Sequence, residues 1–170
     1  MARASRVVLR PPVAADGPAF AAAMRRSREL HRPWAPSGPD TAAAFRHYLA
    51  RMAKPGNHAF LVTAKTSGEI AGFVNLTHVI GGALRSGFLG YCAFSGFEHQ
   101  GYMREGVSAV VRHAFATLKL HRLEANIQPG NAASIALARA CGFTLEGFSP
   151  RYLKIGGRWR DHERWAILKP

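Results

Sequence analysis

The residues with the clearest chemistry are Gln100-Gly101-Tyr102-Met103-Arg104. They follow an apolar run, Phe88-Leu89-Gly90-Tyr91-Cys92-Ala93-Phe94, that reads as a buried strand, and they open a long amphipathic segment. A strand that ends in a short loop and restarts as a helix makes an anion site. The first helical N–H groups lack intrahelical partners, and the helix dipole adds partial positive charge. Gly101 at the junction leaves room for close backbone approach. The pattern is not a nucleotide P-loop: Gly101 and Gly106 have the spacing, but Val107-Ser108 stands where Lys-Ser/Thr is needed. GxGxxG, GxSxG and CxxC are absent, and no His pair has metal-ligand spacing. Neither a hydrolytic triad nor a metal site is expected.

Several elements must hold this stretch in place. A short strand over residues 6–10 is stopped by Pro11-Pro12. Asp16 and Asp40 can each cap a helix, the second over residues 41–52 with Phe45, Tyr48 and Leu49 on one face. Residues 31–36, with two prolines, cannot be regular helix. Strands over 59–63, 70–77 and 88–94, separated by Gly-containing turns, predict an antiparallel meander. After Gly101, an apolar stripe of Met103, Val107, Val110, Val111, Ala114 and Leu118 predicts a helix packed on that sheet. A strand at 122–127 then implies a parallel crossover. Asn131 is placed to cap a further helix, which Gly142 ends in a left-handed stop. A strand beginning at Phe143, another over 151–155, a Gly156-Gly157 turn and a strand over 158–168 complete the chain.

The bulk numbers bound the answer. A chain of 170 residues, 48% apolar, predicts one globular domain over 1–170, with no run long enough to span a membrane and no apolar signal core. The expected location is the cytoplasm. Cys92 and Cys141 sit in apolar segments and read as reduced core residues. With 23 Lys+Arg against 10 Asp+Glu, the net charge of +13 favours anionic partners: a polyphosphate cofactor, nucleic acid or an acidic surface.

Taken in order, these motifs resemble the GNAT superfamily of N-acetyltransferases, and within it the Rim-type ribosomal-protein alanine N-acetyltransferases. The resemblance is carried by Leu89-Gly90-Tyr91, Gln100-Gly101-Tyr102-Met103-Arg104-Glu105, His121-Arg122-Leu123-Glu124-Ala125-Asn126 and Pro129-Gly130-Asn131-Ala132-Ala133-Ser134. It continues through Cys141-Gly142-Phe143-Thr144-Leu145-Glu146-Gly147 and ends in Tyr152 to His162. It is dense over residues 72–168, the core motif region, and looser before that, although Arg32-Pro33-Trp34 also fits.

The resemblance implies an α/β (α+β) GNAT fold: a mixed, mostly antiparallel sheet of about seven strands, splayed in the middle, with about four flanking helices. It implies acetyl-CoA as acetyl donor. The pyrophosphate is expected on the backbone of Gln100, Gly101, Tyr102, Met103 and Arg104. The pantetheine arm is expected to pair like an extra strand with the edge at Tyr91, Cys92 and Phe94, reached also by Asn131 and Ser134. Ser134 or a tyrosine, with Ser134 and Tyr91 as the catalytic candidates, would protonate the leaving thiolate, and a backbone N–H near Tyr91 and Cys92 would stabilise the oxyanion. Glu98 and His99 depart from the pattern, since Gln or Arg and then a small residue are common there. A carboxylate facing a pyrophosphate is unfavourable, so Glu98 is expected to turn away or the loop to shift. Phe88 stands where relatives often carry an acidic base, leaving Glu105 and His78 as side-chain alternatives to water. The expected acceptor is a protein N-terminus, a ribosomal protein first, with the basic surface aiding approach to ribosomal RNA. The alternatives are a small-molecule amine (drug, polyamine or amino acid) and a non-catalytic acetyl-CoA- or RNA-binding module. A monomer or homodimer is expected.

Overall fold

The computed structural model describes residues 5–35 and 38–170. Strand β1 (Val7–Arg10) leads through a 3-10 turn, Ala14–Asp16, into helices α1 (Gly17–Arg26), α2 (Arg28–His31) and α3 (Ala42–Met52). The meander β2 (His58–Ala64), β3 (Ile70–Ile80) and β4 (Ser86–Ala93) follows. Helix α4 (Tyr102–Ala116), β5 (Arg122–Ile127), α5 (Ala132–Ala140), β6 (Thr144–Ile155) and β7 (Arg158–Leu168) complete the chain. The seven strands form one sheet in the order β1-β2-β3-β4-β5-β7-β6, antiparallel except for β4 and β5. Among the described residues the α-helices number five rather than about four, because a turn of helix forms over Arg28–His31, just ahead of Pro33.

Strand alternation divides the core in two. On one face, Val62, Val74 and Leu76 meet Val107, Val110 and Ala114 of α4 and Leu123 and Ile127 of β5. On the other, Leu61 and Phe73 meet an aromatic cluster of Phe20 from α1, Phe45 and Tyr48 from α3, and Phe94. Phe20 has no exposed surface, and its ring centroid lies 4.9–5.6 Å from those of Phe45, Tyr48, Phe73 and Phe94. No helix among the described residues is long and apolar enough to cross a membrane.

Local details differ from expectation where neighbours compete. Thr41, not Asp40, caps α3, accepting the Ala44 N–H at 3.1 Å, while Asp40 bonds Arg28. Asp16 is engaged by Arg10 and accepts the Val13 N–H. The two strands expected on either side of Pro150 are one strand, β6, whose register slips between Ser149 and Leu153.

The feature that matters for function is the β4–β5 pair. Their parallel register covers only Ser86↔Arg122, Gly87↔Leu123 and Phe88↔Glu124. Beyond Phe88, β4 stays on β3 as far as Gly72↔Ala93, while β5 continues on β7 from Arg122↔Leu168 to Ile127↔Glu163. Two strands with committed partners on their outer sides diverge as the sheet twists, and the gap between them opens a cavity.

Candidate active site

The cavity has a volume of about 620 Å³ and is walled by β4, β5, α5, the start of α4, the turn after α2, and the β6–β7 hairpin. The backbone facing it can be read from one hydrogen bond. Phe94 N–H donates to Ala71 O at 2.8 Å, so Phe94 bonds towards β3. In an antiparallel ladder alternate residues bond to the same neighbour, which turns Cys92 to β3 and Tyr91 and Ala93 to the gap. Ala93 O is taken by His31 Nε2 at 2.7 Å. Tyr91 N–H, Tyr91 O and Ala93 N–H thus form an open strand edge inside the cavity.

On the α4–α5 side of this edge two hydroxyls meet. Ser134 Oγ donates to Tyr91 Oη at 3.0 Å, and Tyr91 Oη donates to Ser134 O at 2.9 Å. Ser134 is brought there by its own helix start: Asn131 Oδ1 accepts the Ser134 N–H at 3.2 Å and caps α5. Burial pushes the Tyr91 phenol up to about 12, partly opposed by the Ser134 bond, so it is a protonated donor at neutral pH. Burial also pushes the Cys92 thiol up to about 12. A thiol held protonated is a poor nucleophile, and this disfavours a covalent acyl-cysteine route.

On the other side, facing α1 to α3, the wall is formed by Leu30, His31, Trp34, Asn126, Leu153, Ile155 and His162. The turn after α2 spans the gap. His31 ties it to β4, and Gln128 Nε2 donates to Trp34 O at 2.9 Å to tie it to β5.

At the mouth lies the start of α4. Gly101 precedes it with φ 84°, the left-handed region that favours glycine. Tyr102, Met103 and Arg104 then have free N–H groups, since the first intrahelical bond runs from Glu105 N to Gly101 O. Distant Arg6 braces this turn. Its Nε and its backbone N–H each reach the Glu105 carboxylate at 2.7 Å, its Nη2 reaches Gln100 O at 2.8 Å, and its guanidinium lies 4.8 Å from the Tyr102 ring centroid. His99 adopts φ 57°, so it occupies the backbone conformation of a glycine position with a side chain attached. Glu98 folds back: its carboxylate accepts the Gly96 N–H at 2.5 Å, and its own backbone N–H and that of Gly96 hold its carboxyl below the usual range.

Tyr91, Cys92, Gly101, Met103, Arg104, Asn131 and Ser134 all line the cavity. Phe94 does not: its ring is in the aromatic core and its N–H is on β3. Gln100 and Tyr102 are not in the wall either. Gln100 bonds Gly96 O through its side chain, and the Tyr102 ring packs edge-on against Phe97. Glu105 is occupied by Arg6, and His78 packs against Phe88 outside the cavity, so neither is placed as a base. Arg6, His31, Gln128 and His162 were missed as site residues. Arg6 lies 99 positions from Glu105 and carries no local signal.

These features fit acetyl-CoA. Free N–H groups at a helix start suit its pyrophosphate, and the open strand edge suits its amide-bearing arm. The acetyltransferase (GNAT) domain model matches residues 6–144. A probable N-acetyltransferase of Bacillus subtilis, YjcK, is 37% identical over 123 residues, 72% of this chain and 68% of that protein. The [ribosomal protein uS5]-alanine N-acetyltransferase of Escherichia coli is 36% identical over 102 residues; these are 60% of this chain but only 53% of that protein, about half its length. Among solved structures, Mycobacterium smegmatis RimJ in complex with CoA-disulfide superposes with a TM-score of 0.88 at 28% identity, covering 95% of this chain and 81% of that one. The splayed sheet, the helix-start anion site and these matches together place the chain in the GNAT family of acetyltransferases, enzymes that take their acetyl group from acetyl-CoA.

Proposed function

We propose that this enzyme acetylates the N-terminal α-amino group of a protein, a ribosomal protein foremost. One observation carries the reading: among the described residues, the cavity wall facing α1 to α3 has no carboxylate. The one acidic residue lining the cavity, Glu98, belongs to the loop ahead of α4, with its carboxylate folded onto Gly96. A polyamine or lysine side chain therefore finds no anion there to draw its charge in. At pH 7.5 an α-amine of pKa ~7.7–8.0 is roughly a third neutral, whereas an amine near ~10.4 is neutral in about one molecule per thousand. The apolar wall of Leu30, Trp34, Leu153 and Ile155 suits the first. The relatives named for ribosomal-protein alanine acetylation support the same acceptor. The net charge of +13 would favour approach to ribosomal RNA.

Acetyl-CoA supplies an activated thioester. The N–H groups of Tyr102, Met103 and Arg104 would hold its pyrophosphate. Ala93 N–H and Tyr91 O would pair with its arm. Tyr91 N–H would stabilise the oxyanion, a role Cys92 N–H cannot take because it faces β3. The Tyr91 hydroxyl gives its proton to the leaving sulfur, and Ser134 Oγ–H, already directed at that oxygen, steadies the phenolate left behind.

The test is a panel of N-terminal peptides and small amines, read by thiol release. Turnover of peptides with a small first residue is the expected result. Turnover confined to polyamines or other small amines would refute the reading.

A further inference from the structure

The wall facing α1 to α3 lacks a carboxylate, yet an attacking amine must shed a proton. Two histidines stand in that wall, and their hydrogen bonds distinguish them. His31 Nε2 meets Ala93 O at 2.7 Å. A carbonyl only accepts, so Nε2 carries the proton and Nδ1 the lone pair. That Nδ1 is sealed from the cavity, buried without a partner.

His162 is arranged the other way. The residue is 1% exposed, and Nδ1 donates to Arg160 O at 3.0 Å. The lone pair is then on Nε2, which has no partner among the described residues. The residue lines the cavity. The register fixes its direction. Asn126 pairs with Arg164 across β5 and β7, so His162, two residues on, shares the face of Asn126 and Gln128. This is the face opposite the Tyr91–Ser134 pair. Asn126 Oδ1, also buried and unpaired, lies on the neighbouring strand about one residue pair away.

We propose that His162 Nε2 is the proton acceptor for the attacking amine, directly or through one water. The step balances. The amine lone pair forms the N–C bond. The C–S bond breaks, and its electron pair leaves on sulfur, which takes the Tyr91 hydroxyl proton. His162 Nε2 takes the proton shed by nitrogen, and exchange with solvent resets both residues. Acid and base then work from opposite faces of the gap. The assignment needs only an amine acceptor; its match to an α-amine rests on the reading above, because an imidazole is better suited to a weakly basic amine than to a lysine.

The ionisable groups facing His162 are few. Tyr152 of β6 lies edge-on, with ring centroids 6.1 Å apart. Arg158, Arg160 and Arg164 share its face of β7, and His31 of α2 stands in the same wall. Its chain neighbours Asp161 and Glu163 alternate to the other face, where they accept from Arg151 N–H and Trp165 Nε1.

Two measurements test the assignment. The first is kcat/KM against pH for the wild type and His162→Gln, with whichever amine the panel identifies. The expected result is a loss of roughly 10²-fold or more, disappearance of the acidic limb, and an unchanged KM for acetyl-CoA. A loss below about threefold with the limb intact would overturn it, the magnitude being far under that of a general base. The second is ¹⁵N NMR of the histidine rings in the ligand-free wild type, which needs neither turnover nor a folded variant. The expected neutral tautomer of His162 has its proton on Nδ1; a proton on Nε2 would overturn the proposal. A panel that turns over only small amines refutes the acceptor assigned above and leaves His162 to stand or fall on these two readouts.

Discussion

Gly106→Ala is informative because two well-measured effects oppose each other there. Gly106 lies inside α4, where alanine is favoured over glycine by about 0.8–1.0 kcal/mol. A Cβ at this position would sit 2.5 Å from Val62 Cγ2 and 2.9 Å from Cγ1. The nearer contact is at least about 1 Å inside the ~3.5–4.0 Å optimum for two carbons. Val62 is fully buried at the register shift of β2, a β-branched side chain with little freedom to turn away. Overpacking of this kind costs about 1–3 kcal/mol, here towards the upper end, so the clash outweighs the propensity gain by about 1–2 kcal/mol. For a chain of this size the melting temperature should fall by about 2–8 °C. The strain has a functional direction as well. Gly106 is one turn from the free N–H groups of α4, and lifting the helix from β2 displaces them. Acetyl-CoA affinity, read by calorimetry, should weaken several-fold. Val62→Ala removes the clashing methyls at its own cost, so a double-mutant cycle by urea unfolding should show the pair less destabilising than the sum by about 1 kcal/mol or more. A Gly106→Ala protein more stable than wild type, or strictly additive with Val62→Ala, would refute the reasoning.

Two further outcomes follow from the same geometry. Tyr91→Phe should lower kcat by roughly 10–10²-fold, with acetyl-CoA binding little changed, and Ser134→Ala should lower it less; full turnover in Tyr91→Phe would remove the phenol from the mechanism. The Arg10 guanidinium, aided by the Val13 N–H, holds the Asp16 carboxyl below the usual range against the opposing effect of burial. Its contribution to stability is therefore complete above the ordinary carboxylate value of ~3.9 and is lost as pH falls through the lowered folded value. Asp16→Asn should be less stable than wild type at pH 7 by about 1 kcal/mol, with the gap closing towards pH 2 in urea titrations; a gap independent of pH would show that the ion pair contributes nothing.

Features that depend on a few adjacent residues were legible in the chain alone. Asn131 caps α5 and Gly142 ends it with φ 91°, as expected, because caps and left-handed stops are decided within one turn. Gly101 before an apolar stripe announced the anion site for the same reason. The strand–helix–strand order through α4 pointed to a parallel β4–β5 pair, since a helix is the usual crossover between parallel strands, and the register bears it out. Local competition already blurred the reading: Thr41 displaced Asp40 as a cap because Arg28 claims Asp40.

The tertiary structure decided what the site can do. Apolar pattern makes Leu89, Tyr91, Ala93 and Phe94 equally strand-like; only pairing with β3 shows which face the gap, and so excludes Phe94 and the Cys92 N–H. Tyr91 and Ser134, 43 residues apart, and Arg6 and Glu105, 99 apart, meet through contacts that no local propensity encodes. The roles of the two histidines depend on which backbone carbonyl each one meets: Ala93 O for His31, Arg160 O for His162. Local residues thus marked an anion site at a helix start, and the ordered motifs, through the family they resemble, pointed to the acetyl donor and the reaction type. The arrangement of the proposed acid, base and acceptor wall around the gap is long-range, and it depends on β4 and β5 parting beyond Phe88.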